Sequence, residues 1–387
     1  MISSFTVKNV KSLRDVTIEP GHFNVFIGAN GCGKSNVLEA LALLAGAMTG
    51  RTTPEDLFNR GYRVARPDST RSSFRGEEPV EAITLGAVHA EVSPWGRESQ
   101  FELLPEPTDL ISASWVDAST SPLDPQEMIA QIERIVAHHP KLAKPTTIGG
   151  IRDSLEALKA RRTFADFVIY TPNTLALRGL QVMSQRTPVG IHGEGLDLLI
   201  ASLPEADRDE LARRMAMIDW FDELSVDEGD RLKFGHHKMG RSQSRLYFRD
   251  RFMREDNDLF SAENANEGIL HLLFHLAVFL SAETPRVFAV DNLETALNPQ
   301  LCRLLAASLA ALAVEREKQA FVTTHNPAVL DGLDLHDDRQ RLFIVSRDGD
   351  GHTKVKRLAA KPQLTEGKYK LSELWMRGHL GGLPDAF

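Results

Sequence analysis

Apolar and polar residues alternate from the first strand-like stretch of the chain. Positions 5–7 (Phe-Thr-Val) and 16–18 (Val-Thr-Ile) read as half-buried strands, and 23–27 (Phe-Asn-Val-Phe-Ile) as a more deeply buried one. Positions 28–35 are a glycine-rich turn. From Ser35 the period becomes helical, with Val37, Leu38, Leu41, Leu44 and Ala45 on one face, until Gly50 and Pro54 end it. Strand patterns return at 82–92 and 100–104 and complete an N-terminal sheet. Between 105 and 162 the pattern is helical and polar. Asp124 caps one helix, with Pro125 at its first position and Met128, Ile129, Ile132 and Ile135 following; a second runs from 151 to the basic stretch 159–162.

The second half reads as a strand at 164–170, helices at 193–203 and 204–224, and a hairpin over 232–252 with arms at 233–235 and 245–249. It continues with a buried helix at 268–282, a buried strand at 285–291, a helix at 300–316 and a strand at 319–324. Strand, helix and strand in succession predict a parallel sheet covered by helices. The expected fold is α/β: a mixed N-terminal sheet plus a parallel core sheet flanked by helices, with a helical insertion. The expected segments are 1–104, the insertion 105–165, a helical and hairpin lobe 166–260, and a C-terminal lobe 261–387.

Composition narrows the classes. The 387 residues are 42% hydrophobic and 25% charged, enough apolar material for a sizeable core. A net charge of −8 excludes a wholly basic nucleic-acid binder but not a local basic patch. Two cysteines, Cys32 and Cys302, imply no disulfide framework. The N-terminus carries no apolar run of signal-peptide length, and the most apolar stretch, 268–280, is too short for a bilayer span and contains His271 and His275. The expectation is a soluble, cytoplasmic chain with no membrane association.

The strongest chemical signal is Gly28-Ala-Asn-Gly-Cys-Gly-Lys34-Ser35, which fits G-x-x-x-x-G-K-[ST] between a strand and a helix, the context this phosphate loop requires. Its glycines let backbone N–H groups converge on phosphate oxygens, and the helix N-terminus adds partial positive charge. The candidate nucleotide contacts are Gly28, Asn30, Gly31, Cys32, Gly33, Lys34, Ser35 and Asn36. Lys34 would reach the β- and γ-phosphates of ATP, and Ser35 would ligate Mg²⁺. Cys32 reads as a small residue tolerated in the loop. Asp291 closes the strand 285–291 as a carboxylate for the metal's shell. His325 closes the strand at 319–324, one strand-helix-strand unit later, where it would sense the same phosphate. Residues 264–268 open the helix at 268–282 with small polar residues and glycine, a further anion site.

This order resembles the ABC-type P-loop ATPase heads of the RecF/SMC/OLD group, in particular the prokaryotic AAA-domain ATPases of anti-phage and abortive-infection systems. The residues that carry the resemblance are 5–13, 24–40, the block 260–335 and the tail Leu371-Ser-Glu-Leu-Trp-Met-Arg-Gly-His-Leu-Gly-Gly-Leu-Pro384; over 90–165 it is weak. The resemblance implies a homodimer or higher oligomer with ATP sandwiched between two heads. Asn266 and Gly268 stand where the family has its signature Ser and Gly, and Asn298 and Pro299 fall in the segment that communicates across the dimer. It also implies Asp-Glu at the acidic strand end, the Glu polarising the attacking water; here that position is Asn292, which cannot accept a proton. Three readings stay open: hydrolysis is slow, Glu294 acts as the base, or a partner supplies one.

Weaker features complete the picture. Positions 231–254 hold eight basic side chains against Asp250 alone, which suits a nucleic-acid backbone, an acidic partner or a solvated hairpin. Lys11 would reach ATP by analogy with the family's opening loop. Gln181 and Gln185 are the candidates for a Mg²⁺-sensing glutamine. Trp375 reads as core or interface. The pairs His138-His139 and His236-His237 lack zinc-ligand spacing, and no nuclease constellation is visible. The functional expectation is an ATPase that controls a separate effector, a nuclease or toxin; the alternatives are a RecF-like repair ATPase that binds DNA directly and an ATP-bound scaffold that scarcely hydrolyses.

Overall fold

The computed structural model describes residues 1–63, 66–89, 98–105, 115–117, 164–182, 184, 186–233, 240–359 and 369–382. The two helices expected at 124–135 and 151–162 lie outside the described residues, as do Gln185, both histidine pairs and Lys238.

Three sheets organise these residues. An antiparallel sheet is built from β1 (Ile2–Val10), β2 (Leu13–Ile18), β4 (Ile83–His89), β5 (Glu98–Pro105) and β6 (Trp115–Asp117), in the order β2-β1-β4-β5-β6. The core sheet takes β3 (Phe23–Ile27) together with β7 (Ile169–Tyr170), β11 (Val287–Val290), β12 (Gln319–Thr324), β13 (Gln340–Arg347) and β14 (Thr353–Leu358). Its order is β14-β13-β3-β12-β11-β7, parallel except for the β13–β14 hairpin. A small third sheet, β10-β9-β8, joins β8 (Phe221–Val226), β9 (Leu246–Asp250) and β10 (Leu259–Ser261).

The core strands read as unbroken apolar runs because both of their faces are covered. Successive side chains point to opposite faces. Phe23, Val25 and Ile27 of β3, Phe288 and Val290 of β11, and Ala320 and Val322 of β12 enter one core, packed on the helices α4 (Glu267–Leu280) and α5 (Pro299–Glu315). Phe26, Val287, Ala289 and Phe321 enter the other, against α1 (Lys34–Thr49) and the antiparallel sheet. The helix α4 is buried on every side from Ile269 to Leu280, including His271 and His275. Burial holds the two imidazoles down to about 4 and about 3, so both are neutral at pH 7.

Several boundaries differ from the sequence pattern. The helix read at 204–224 ends early: α3 (Glu205–Met215) follows the short helix α2 (Leu196–Ser202), and 221–226 is strand β8. Pairing of Leu224 with Phe248 and Val226 with Leu246 decides this, a long-range contact that local periodicity does not carry. Strand β9 therefore pairs with β8, not with an arm at 233–235, whose residues 234–235 lie outside the described set. The strand read at 164–170 shrinks to β7. Phe164 and Phe167 are apolar because they pack against each other, and Phe167 against Phe321. A short apolar run does not distinguish a strand from a packed turn.

No helix among the described residues is long and apolar enough to cross a membrane.

Candidate nucleotide site

The register of the core sheet sets the site. Thr324 lies beside Ile27, and Val290 beside Val322, so β3, β12 and β11 end together at one edge. Chemistry in open α/β sheets gathers at such carboxyl ends. The glycine loop leaves β3, His325 leaves β12 and Asp291 leaves β11. The histidine strand thus lies between the loop strand and the acidic strand, so Asp291 is one strand further from the loop than a direct neighbour would be.

Gly33 is the point at which loop becomes helix. Its φ is +109°, and a Cβ there would lie 2.2 Å from the hydroxyl of Thr353, so only glycine fits. As the N-cap of α1 it offers no side-chain acceptor, and the first turn holds no acidic residue. The first N–H groups of α1 are left for an anion. Thr353 also donates to the carbonyl of Cys32 at 2.8 Å and meets Ser12 at 2.6 Å, bracing the loop from the β14 side. The side chain of Asn36 donates to Ser12 at 2.7 Å and so faces the β1–β2 turn.

Lys34 is 5% exposed. Its Nζ donates to the carbonyls of Gly28 at 2.8 Å and Ala29 at 3.0 Å, and lies 3.4 Å from Nδ1 of His325. Burial lowers the lysine's pKa, against the charges of Cys32, Asp291 and Glu294. Burial and the neighbouring Lys34 also push His325 below its ordinary value, against Glu294 and Asp291. A neutral imidazole with Nδ1 accepting from Lys34 carries its proton on Nε2, free to donate to a phosphate oxygen. Cys32 is buried, and burial raises its thiol pKa, which suits an inert small residue.

The hydroxyl of Ser35 donates to Asp291, 3.0 Å from Oδ2. Thr323 donates to Asp291 Oδ1 and accepts the N–H of Asn292 at 2.9 Å, fixing both residues after β11. One hydroxyl and one carboxylate, both hard oxygen donors, fit Mg²⁺, which leaves its other positions to water and phosphate.

Residues 192–331 match the protein family described as "AAA domain, putative AbiEii toxin, Type IV TA system", and residues 1–60 match the family described as "AAA ATPase domain". No curated protein matches the chain. Among solved structures, an SMC head bound to the C-winged helix domain of ScpA is 15% identical over 94% of this chain and 98% of its own, with a TM-score of 0.56. The Smc head domain from Pyrococcus furiosus, with an extended coiled coil and the C-terminal domain of ScpA, is 16% identical over 92% and 96%, with a TM-score of 0.50. The fold is that of an SMC/RecF-like ABC-type ATPase head.

In this fold the remaining candidate residues fall into separate places. Asn292 is exposed, with φ at +60°, a left-handed conformation that asparagine tolerates better than most residues. Glu294 accepts the backbone N–H of His325 at 2.8 Å through Oε1, while its Oε2 is buried without a partner among the described residues. Asn266 caps α4 by accepting the N–H of Ile269 at 2.9 Å. Gly268 lies against the loop after Glu294, where its Cβ would be 3.2 Å from the carbonyl of Ala296. Asn266, Gly268, Ala296, Asn298 and Trp220 line a cavity of about 570 Å³, apart from the groups around Lys34. Asn298 caps α5, with Pro299 at its first position.

Lys11 pairs with Glu39, which also takes Nε of Arg63 at 2.6 Å, so its charge is already partnered. Gln181 is exposed and lines a different cavity, with Val182 and Arg186. Trp375 is 8% exposed and packs in the core. Four of the eight basic side chains in 231–254 have an acidic partner within 4.0 Å among the described residues. Arg249 pairs with Asp258 at 2.5 Å and with Glu223 at 3.2 Å, Arg245 lies 3.9 Å from Asp197, Lys233 lies 3.9 Å from Asp230, and Arg251 donates to the carbonyl of Phe221. Sequence reasoning missed Thr323 and Thr353. Both are fully buried hydroxyls in strands; the only signal of Thr323 was a polar residue in an otherwise apolar strand, and 353–358 carried no strand reading.

Proposed function

We propose that the chain is an ATP-dependent switch that binds MgATP and hydrolyses it slowly. The observation that carries this reading is the convergence of Lys34, Ser35, Asp291 and His325 at the ends of three adjacent strands, with Asn292 in the position next to the acidic residue. The loop and the free N–H groups of α1 hold the phosphates, and Lys34 and the Nε2–H of His325 meet the γ-phosphate. Ser35 and Asp291 would hold Mg²⁺, which would supply neutralisation of phosphate charge. Asn292 orients a water but takes no proton from it, and losing a general base typically costs about 10²–10⁴-fold in rate.

A second copy completes the site in this reading. Asn266 and Gly268 sit on their own cavity beside Asn298, positioned for the nucleotide of another head. The nucleotide-bound dimer then controls a separate effector in a defence-type system. The toxin and toxin–antitoxin wording attached to the family matched at 192–331 supports that context. Direct nucleic-acid binding through 231–254 is less favoured, since five of its basic side chains already have acidic or carbonyl partners.

Glu294 separates a positioning role from a basic one. Its contact is a carboxylate oxygen accepting the N–H of His325, which a glutamine Oε1 reproduces. Glu294→Gln is therefore expected to leave turnover within about two-fold, whereas Glu294→Ala, which frees the His325 backbone, lowers it about ten-fold. Steady-state phosphate release on the three proteins reads this. A Gln variant that retains ATP but loses turnover makes Glu294 the base instead.

A further inference from the structure

The C-terminal segment 369–382 has no part in the chemistry described so far, yet it is anchored to the site at both ends. Its helix α6 (Leu371–Met376) buries Trp375 in the core. Ser372 bonds Asp331 twice, N–H to Oδ1 at 3.0 Å and hydroxyl to Oδ2 at 2.7 Å. Asp331 belongs to the 3₁₀ helix Pro327–Gly332, which begins two residues after His325. Past the helix, Gly378 donates to Trp375 and His379 donates to Leu374, a Schellman ending.

Gly378, Gly381 and Gly382 all have φ at +77°. Three left-handed turns within five residues explain the glycines of the Arg-Gly-His-Leu-Gly-Gly run, because side chains there are strained. The turns bring the carbonyl of Gly382 onto the phosphate loop, where it accepts the N–H of Ala29 at 2.9 Å. A Cβ at Gly382 would lie 2.7 Å from Ile344 and 3.7 Å from the Cα of Gly28. Ala29 in turn accepts from Lys34 at 3.0 Å, and Lys34 meets His325. The tail thus closes a ring from the His325 turn, through Asp331 and Ser372, back to the phosphate loop.

We propose that residues 371–382 are a strap that positions the first half of the phosphate loop, and with it Lys34, for nucleotide. This rests on the nucleotide-binding reading above. The strap touches the loop and not the reacting atoms, so it sets affinity and not the chemical step. Losing one buried hydrogen bond that orders a loop corresponds to about 5–10-fold in binding.

The test is Gly382→Val in the full chain, which forces a branched side chain into a left-handed turn against Ile344 while leaving Trp375 in place. The expected result is a 5–10-fold rise in the KM for MgATP with kcat within about two-fold, and faster hydrogen exchange of the Ala29 amide. Ser372→Ala, which unties the other end, is expected to raise KM in the same direction by about two-fold or more. Unchanged KM in the Gly382→Val protein, whether or not the Ala29 amide exchanges faster, overturns the proposal. Failure of the unsubstituted protein to bind MgATP overturns the nucleotide reading itself, and shows before any variant is compared.

Discussion

Lys34→Ala is expected to remove nucleotide capture without unfolding the protein. Lys34 is a buried cation whose charge is disfavoured by burial and whose acceptors are the carbonyls of its own loop. Removing it leaves Gly28 and Ala29 with unmet carbonyl acceptors but also removes a buried charge, so the two effects on stability oppose each other. The functional loss has no such compensation. A charged donor preorganised toward phosphate contributes about 10²–10³-fold to the rate when deleted singly, and about 1.5–3 kcal/mol of binding. The expected outcome is no measurable turnover and MgATP affinity lowered by about 10²-fold, with a thermal midpoint within about 2 °C of the parent. Calorimetric titration and thermal unfolding of the same preparation check both halves. A large drop in midpoint would mean that Lys34 is chiefly a structural residue.

Asn292→Glu is expected to act in the opposite direction, raising turnover about 10²-fold. The position directly follows Asp291, and its backbone is held by Thr323, so a carboxylate there starts from a fixed main chain. The price is local: glutamate at φ +60° costs about 1 kcal/mol relative to asparagine. Activity should rise while stability falls, a combination that a general loosening of the fold would not produce. Phosphate release and the unfolding midpoint, measured together, test it. Unchanged or lower turnover would show that the identity of residue 292 does not limit the rate.

What could be read in advance follows from where each signal originates. The phosphate loop, α1 and strands β11 and β12 were legible because their chemistry and periodicity are local: a glycine pattern between strand and helix, and apolar runs covered on both faces. The order of the strands was not. That the histidine strand lies between the loop strand and the acidic strand depends on pairings such as Ile27 with Thr324, separated by nearly the whole chain. Strand β8 was misread for the same reason, since Phe221–Val226 gains its strand character from β9. Thr323 looked like an ordinary strand residue and the strand that carries Thr353 had no sequence reading, because a buried hydroxyl acquires meaning only when its acceptor is known. The tail was noticed as a motif, but its contact with Ala29 joins positions 353 residues apart.

In the proposed function the chain is an ATP-holding head that turns over slowly. The most direct measurement quantifies the nucleotide bound to the purified protein and its single-turnover hydrolysis with Mg²⁺. The expected result is stoichiometric MgATP that decays at well under about 1 s⁻¹, the low end of ordinary enzymes, and no retained ATP with Lys34→Ala. Rapid hydrolysis at about 10 s⁻¹ or faster, with Asn292 unaltered and ADP the bound species, would contradict it.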